Sequence, residues 1–142
     1  MPKHSVTATV AAGAAVLAAG ILLTGCASLH ALGLKHEQVD YASWADAPKH
    51  AGPASTPPPF VPHDASNLYI RTLLDGKGAA ITYTSTRVVN ASTCVPGTLT
   101  GRPKLDSNWW PTGRPPLTGL VCGNGWQLFL VDGVTYGWRN TP

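Results

Sequence analysis

A small, mainly β fold is what the sequence predicts, an antiparallel sandwich or barrel, and two observations predict it. Asp75-Gly76, Asn124-Gly125 and Asp132-Gly133 are dipeptides that accept positive φ, each flanked by residues suited to strands. Along those flanks apolar and polar residues alternate with a period of two, the spacing of a strand with one buried face.

The C-terminal third is the clearest. Leu117 to Cys122, Trp126 to Val131 and Val134 to Arg139 are three strands separated by Gly123-Asn124-Gly125 and Asp132-Gly133, which reads as an antiparallel meander. Alternation puts Trp126, Leu128 and Leu130 on one side of the middle strand and Val134, Tyr136 and Trp138 on one side of the last. Gln127, Thr135 and Arg139 point the other way, so one face is expected to be core and the other solvated. Upstream, Leu68 to Leu74 and Ala79 to Val89 bracket Asp75-Gly76-Lys77-Gly78. The second arm alternates through Ile81, Thr82, Tyr83 and Thr84 and reads as a strand. The first arm pairs with it as a hairpin or, alternatively, forms a helix over about 65–75, capped by Asp64 or Ser66 and ended by Gly76.

The N-terminus speaks to location. Lys3 and His4 precede an apolar, alanine-rich run from Val6 to Leu23, which ends in Leu23-Thr24-Gly25-Cys26. This resembles the lipobox of bacterial lipoprotein precursors. The resemblance implies that residues 1–25 are a signal peptide, that a diacylglyceryl group is attached to Cys26, and that cleavage falls just before it. The mature protein is then held on the extracytoplasmic side of a cell membrane. An uncleaved anchor is the competing reading, since roughly 18 apolar residues approach a membrane span, but Gly13 and Gly20 weaken such a helix. Each buried methylene of an acyl chain contributes about 0.8 kcal/mol, so two or three chains hold a protein durably where one does not.

Residues 26–62 read as a tether. Leu29, Leu32, Leu34, Val39, Tyr41 and Trp44 lie among charges without a helical stripe. Residues 47–62 then carry six of the chain's 13 prolines, a composition that favours extended, semi-rigid spacers of about 3.1 Å per residue. His30, His36, His50 and His63 lie 6, 14 and 13 residues apart, unlike the close pairs of zinc sites, so no metal is expected. The folded part occupies 63–142. A domain of that size is short of apolar area. With Cys26 lipidated, as the lipobox resemblance implies, Cys94 and Cys122 are an even pair in an oxidising compartment and are expected to form a disulfide. Closing a loop of about 28 residues contributes on the order of 3 kcal/mol.

The strongest exclusion concerns catalysis. From Asp64 to Pro142 there is no histidine and no glutamate. The carboxylates are Asp64, Asp106 and the turn residues Asp75 and Asp132. General acid–base chemistry needs a group that titrates near neutrality, and a hydroxyl nucleophile needs a base. Neither an enzyme nor a cofactor is expected. The net charge of +3 is too mild for a nucleic-acid partner.

Binding remains, and its candidate surface lies between the cysteines. Thr100 to Pro116 is a proline-stiffened loop that places Trp109-Trp110 near Arg102, Lys104 and Arg114. Long loops in small domains are usually functional or disordered, and tryptophan beside arginine is favoured at protein interfaces. The same tryptophans could instead roof a small core, stack on sugars or meet lipid. Further, Tyr69-Ile70-Arg71, Gly76, Gly78, Ile81-Thr82-Tyr83 and Leu128 to Val134 resemble the β-sandwich domains of small actinobacterial membrane-anchored export accessory proteins. That resemblance implies a sandwich that partners a transporter, although the tryptophan loop and the lipobox depart from the pattern. The expected function is therefore a lipid-anchored binding or inhibitory module acting on another envelope protein, prophage superinfection exclusion being one such use. The alternatives are an accessory subunit of a transporter or wall-assembly complex, and a sugar-binding or degenerate enzyme domain.

Overall fold

The computed structural model describes residues 35–48, 56–87, 89, 92–105 and 107–141. The signal-like segment, Cys26, His30, His50 and Asp106 lie outside them. Seven strands are present among the described residues: β1 (His36–Ser43), β2 (Ser66–Leu73), β3 (Ala79–Thr84), β4 (Cys94–Thr98), β5 (Thr118–Cys122), β6 (Gln127–Val131) and β7 (Val134–Arg139). All seven join one antiparallel sheet in the order β1-β2-β3-β7-β6-β5-β4, with β1 and β4 as its open edges. The mainly β, antiparallel class is as the sequence predicts, and the strands form a single unclosed sheet. Among the described residues no helix is long and apolar enough to cross a membrane.

The β5-β6-β7 meander lies where turn chemistry puts it. Asp132 (φ 50°) and Gly133 (φ 79°) supply the two left-handed residues that a tight β6-β7 hairpin needs. The first arm of the upstream pair is a strand, not a helix: Thr72 pairs with Ala79 and Ile70 with Ile81 around Asp75–Gly78. Within that turn Asp75 accepts the Lys77 amide at 2.8 Å.

The tether boundary needs correction. Residues 36–43, read as part of a flexible spacer, form edge strand β1, paired with β2 from His36↔Leu73 to Ser43↔Ser66. Val39 and Tyr41 pack on the core while the alternate positions carry polar side chains, so a real two-residue period was hidden among charges. The proline-rich stretch also folds back: Phe60, Val61 and Ala65 are buried, and Trp44 donates its amide to the Ala65 carbonyl at 2.8 Å. Asp46 closes the short turn Trp44–Asp46 by accepting the Ser43 amide at 2.9 Å and its hydroxyl at 2.7 Å.

The expectation of one buried and one solvated face is also corrected, because both faces are covered. On the first, Val39, Ile70, Ile81, Gly137 and Leu128 are successive cross-strand partners. Gly137 is required there: a Cβ would collide with Leu128 and come within 3.0 Å of Ile81. Phe60, Val61, Ala65, Trp126 and the cysteine pair complete this layer, and Phe60 meets Trp126 edge-on at 5.4 Å. On the second face the corresponding row is Gln38, Arg71, Ala80, Trp138 and Gln127. Trp138 is fully buried there with Leu99 and Phe129. Cys94 and Cys122 face each other across β4 and β5, Cα atoms 4.0 Å apart, and form the disulfide. It ties edge strand β4, which carries Pro96 at a position tolerated only near an edge, to the rest of the sheet.

Candidate functional site

The loop that connects β4 to β5 runs from Leu99 to Leu117 and lies across the second face. Its base is closed by the Leu99 amide donating to Leu117 at 2.9 Å. The Gln127 amide side chain then clamps Thr100: its Oε1 accepts the Thr100 N–H, and its Nε2 donates to the Thr100 carbonyl at 2.9 Å. Asn140, just past β7, makes a second clamp. Its Nδ2 donates to the Arg102 carbonyl at 2.6 Å and its Oδ1 accepts the Lys104 amide at 3.2 Å. Each clamp replaces the water lost by two loop backbone groups with a fixed partner, so the loop path is set from the sheet below.

The two tryptophans anchor the far half. Trp110 is half-buried and presents its ring edge-on to Phe129 at 5.7 Å, Tyr136 at 5.8 Å and Trp138 at 5.9 Å. Such edge-to-face pairs contribute roughly 0.5–1.5 kcal/mol each beyond area burial. Trp109, also half-buried, donates its indole N–H to Gln38 Oε1 on β1 at 3.3 Å and stacks on Tyr69 at 6.4 Å. The same Gln38 oxygen accepts from Arg71 Nε at 2.9 Å, and Gln38 Nε2 donates to Asp40 at 2.9 Å. The loop therefore reaches from the β4 edge to the β1 edge. Its tryptophans do the work of core cover, one of the readings left open by the sequence.

Arg102 and Arg114 are exposed and line one groove of about 300 Å³, with Leu99, Gly101, Pro115, Pro116 and Leu117 as its other walls. Arg102 and Pro115 also border a second groove of about 270 Å³, which contains Ser107 and Trp110. Neither groove is lined by a carboxylate among the described residues. Of the predicted site residues, the structure brings Arg102, Arg114 and Trp110 to one connected surface, while Trp109, its ring 6.1 Å from that of Trp110, turns toward Gln38 on β1 and lines neither groove.

Sequence reasoning missed an apolar groove of about 500 Å³ on the first face, bordered by Val89, Pro116, Leu120, Leu128 and Leu130. Leu130 is 68% exposed and Leu117 73%. The signal was present in Leu128-Phe129-Leu130-Val131, four apolar residues in a row, which a strand with one solvated face does not carry.

The chemistry of acid and base groups is local. Asp64 accepts Ser85 Oγ at 2.8 Å, Thr86 Oγ1 at 2.7 Å and the Thr86 amide at 3.1 Å. These bonds to the charged form, the Thr86 and Ser85 hydroxyls first, hold its carboxyl down at about 2. His63 stacks on Trp44, ring centroids 3.9 Å apart. Among the described residues no three histidine, cysteine or carboxylate side chains gather as a metal site. In comparisons with known proteins the chain matches no protein-family model, no curated protein and no solved structure.

Proposed function

We propose that this chain is a lipid-anchored, extracytoplasmic module that acts by binding another cell-envelope protein, and that the outer side of the Leu99–Leu117 loop is the surface it uses. One observation carries the reading. The underside of the loop is fixed by Gln127, Asn140 and Trp110, while Arg102, Arg114 and Leu117 stand exposed on it. A surface held rigid before binding loses little entropy on association, and arginine beside apolar area is the composition that interfaces favour. Catalysis is not part of the proposal, since neither arginine groove is lined by a histidine or a carboxylate among the described residues. The anchor rests on the lipobox resemblance at Cys26.

Two measurements test it. Intact-mass analysis of membrane-extracted protein is expected to find an acylated N-terminal Cys26, and an unprocessed, unmodified chain would remove the anchor. Pull-downs from native membranes are expected to recover the same envelope protein with the intact chain and to lose it with R102A/R114A. Equal recovery by both forms would move the binding surface elsewhere.

A further inference from the structure

The arginine groove has a chemistry that narrows what the partner presents. Arg102 and Arg114 are twelve positions apart in the chain, yet they line one cleft, with Leu99 below and Leu117 beside them. The two guanidiniums offer up to ten N–H donors, and no carboxylate lines the cleft among the described residues. In the adjoining groove, which shares the Arg102 wall, the hydroxyl of Ser107 is buried and has no hydrogen-bond partner among the described residues. A buried donor without a partner is costly and rare in a native fold. Arg102 and Pro115 are walls of both grooves, so a ligand seated on Arg102 borders the groove that Ser107 lines.

We propose that these grooves receive an acidic segment of a partner protein, with one carboxylate held between Arg102 and Arg114 and an adjacent apolar side chain lying on Leu99 and Leu117. The inference rests on the partner-binding reading above and specifies its chemistry. Two features favour a short acidic segment over an anionic bilayer or a long polyanion. The grooves, at about 300 and 270 Å³, have room for one or two side chains. The other end of the same face carries the exposed carboxylate of Asp40, tied to Gln38 beneath Trp109. A uniformly negative surface laid along the loop would gain at the arginines and be repelled at Asp40, whereas a carboxylate seated in the first groove meets a lining that holds two arginines and, among the described residues, no carboxylate.

The test uses the full-length protein in neutral detergent and three probes: a soluble octapeptide of alternating Glu and Leu, inorganic polyphosphate, and phosphatidylglycerol vesicles. The Glu-Leu peptide is expected to bind, to perturb the Trp110 indole signal and to weaken with salt, while the matched Gln-Leu peptide does not bind. R102Q/R114Q is expected to weaken binding by about tenfold or more, as for lost charge-assisted hydrogen bonds. Ser107→Ala, which leaves the charge unchanged, should weaken it by a few fold. Undiminished peptide binding by R102Q/R114Q overturns the proposal, as does preference for polyphosphate or vesicles over the peptide, or binding of no probe. Native pull-downs keep the two readings apart. If R102Q/R114Q still captures the envelope partner, the acidic-segment inference falls and the binding module stands. If neither form captures one while the peptide binds, the envelope-protein reading falls and the groove chemistry stands.

Discussion

Both faces of the sheet are covered by proline-rich chain, but the two covers differ in depth. Over the first face, Pro57, Pro58, Pro59 and Pro62 surround Phe60 and Val61, each only 3% exposed. Over the second, Pro103, Pro111, Pro115 and Pro116 frame Trp109 and Trp110, which remain half-buried, and the loop turns its arginines outward. The first cover is a lid with one working side. The second has an underside that completes a core and an outer side left available. Proline suits both, because it reduces the entropy lost when a segment without regular structure is held in place.

The most severe way to break this comparison is to empty the second face. Trp138 is fully buried between Trp110, Phe129 and the sheet, and Trp138→Ala is expected to cost about 3–5 kcal/mol, the range for large-to-small core changes. Urea unfolding of the oxidised protein measures it. A loss below about 1 kcal/mol would mean that the second face is not a core.

Substituting the covers themselves sharpens the contrast. Phe60→Ala, from the deeper lid, should destabilise by about 3 kcal/mol and leave partner capture unchanged in the folded fraction. Trp110→Ala, from the half-buried roof, should cost less, about 2 kcal/mol, and also loosen the groove that Trp110 lines. Equal stability losses, with capture unaffected in both, would erase the distinction between a lid and a two-sided loop.

The contrast also explains what was legible in the sequence. Turn chemistry made the β2-β3 hairpin and the β5-β6-β7 meander readable, because Gly76 and Asp132-Gly133 take left-handed conformations that few other residues tolerate. The cysteine pairing was readable from parity, once the lipobox resemblance set Cys26 aside. Strand β1 was not: its partner lies some thirty residues away, and at a sheet edge its alternation of Val39 and Tyr41 with Gln38 and Asp40 looks like charged linker. The lid was missed because polyproline composition is shared by spacers and by extended segments pinned by one or two apolar side chains, here Phe60 and Val61. For the site, the tryptophan-arginine loop stood out by composition. That Arg102 and Arg114 line one groove depends on the path set by Gln127 and Asn140, two side chains far along the chain whose role has no local signature.

The smallest expected effects come from titration, and they too belong to the first face and its cover. Tyr83, 1% exposed in the first-face core, has its hydroxyl pushed by burial up to about 12. Between pH 10 and 12 the unfolded chain releases this proton while the folded chain keeps it, so stability is complete below pH 10 and falls as pH rises through that window. Tyr83→Phe should flatten the decline. Asp64 acts with the opposite sign. Its folded value of about 2 lies below the ordinary 3.8, so its contribution is present above about pH 4 and is lost as pH falls through 2. Protonation would release Ser85 and Thr86 from the turn that leads into Ala65, beside the lid. Amide exchange at Val61 and Ala65, whose N–H groups bond to Pro58 and Pro62 at 3.0 Å each, should then accelerate ahead of exchange at Trp110, bonded to Ser107. Asp64→Asn should show the faster exchange already at neutral pH. If acid loosens Trp110 as early as Val61, the two covers open as one unit, and the depth of burial that separates them in the structure does not separate them in stability.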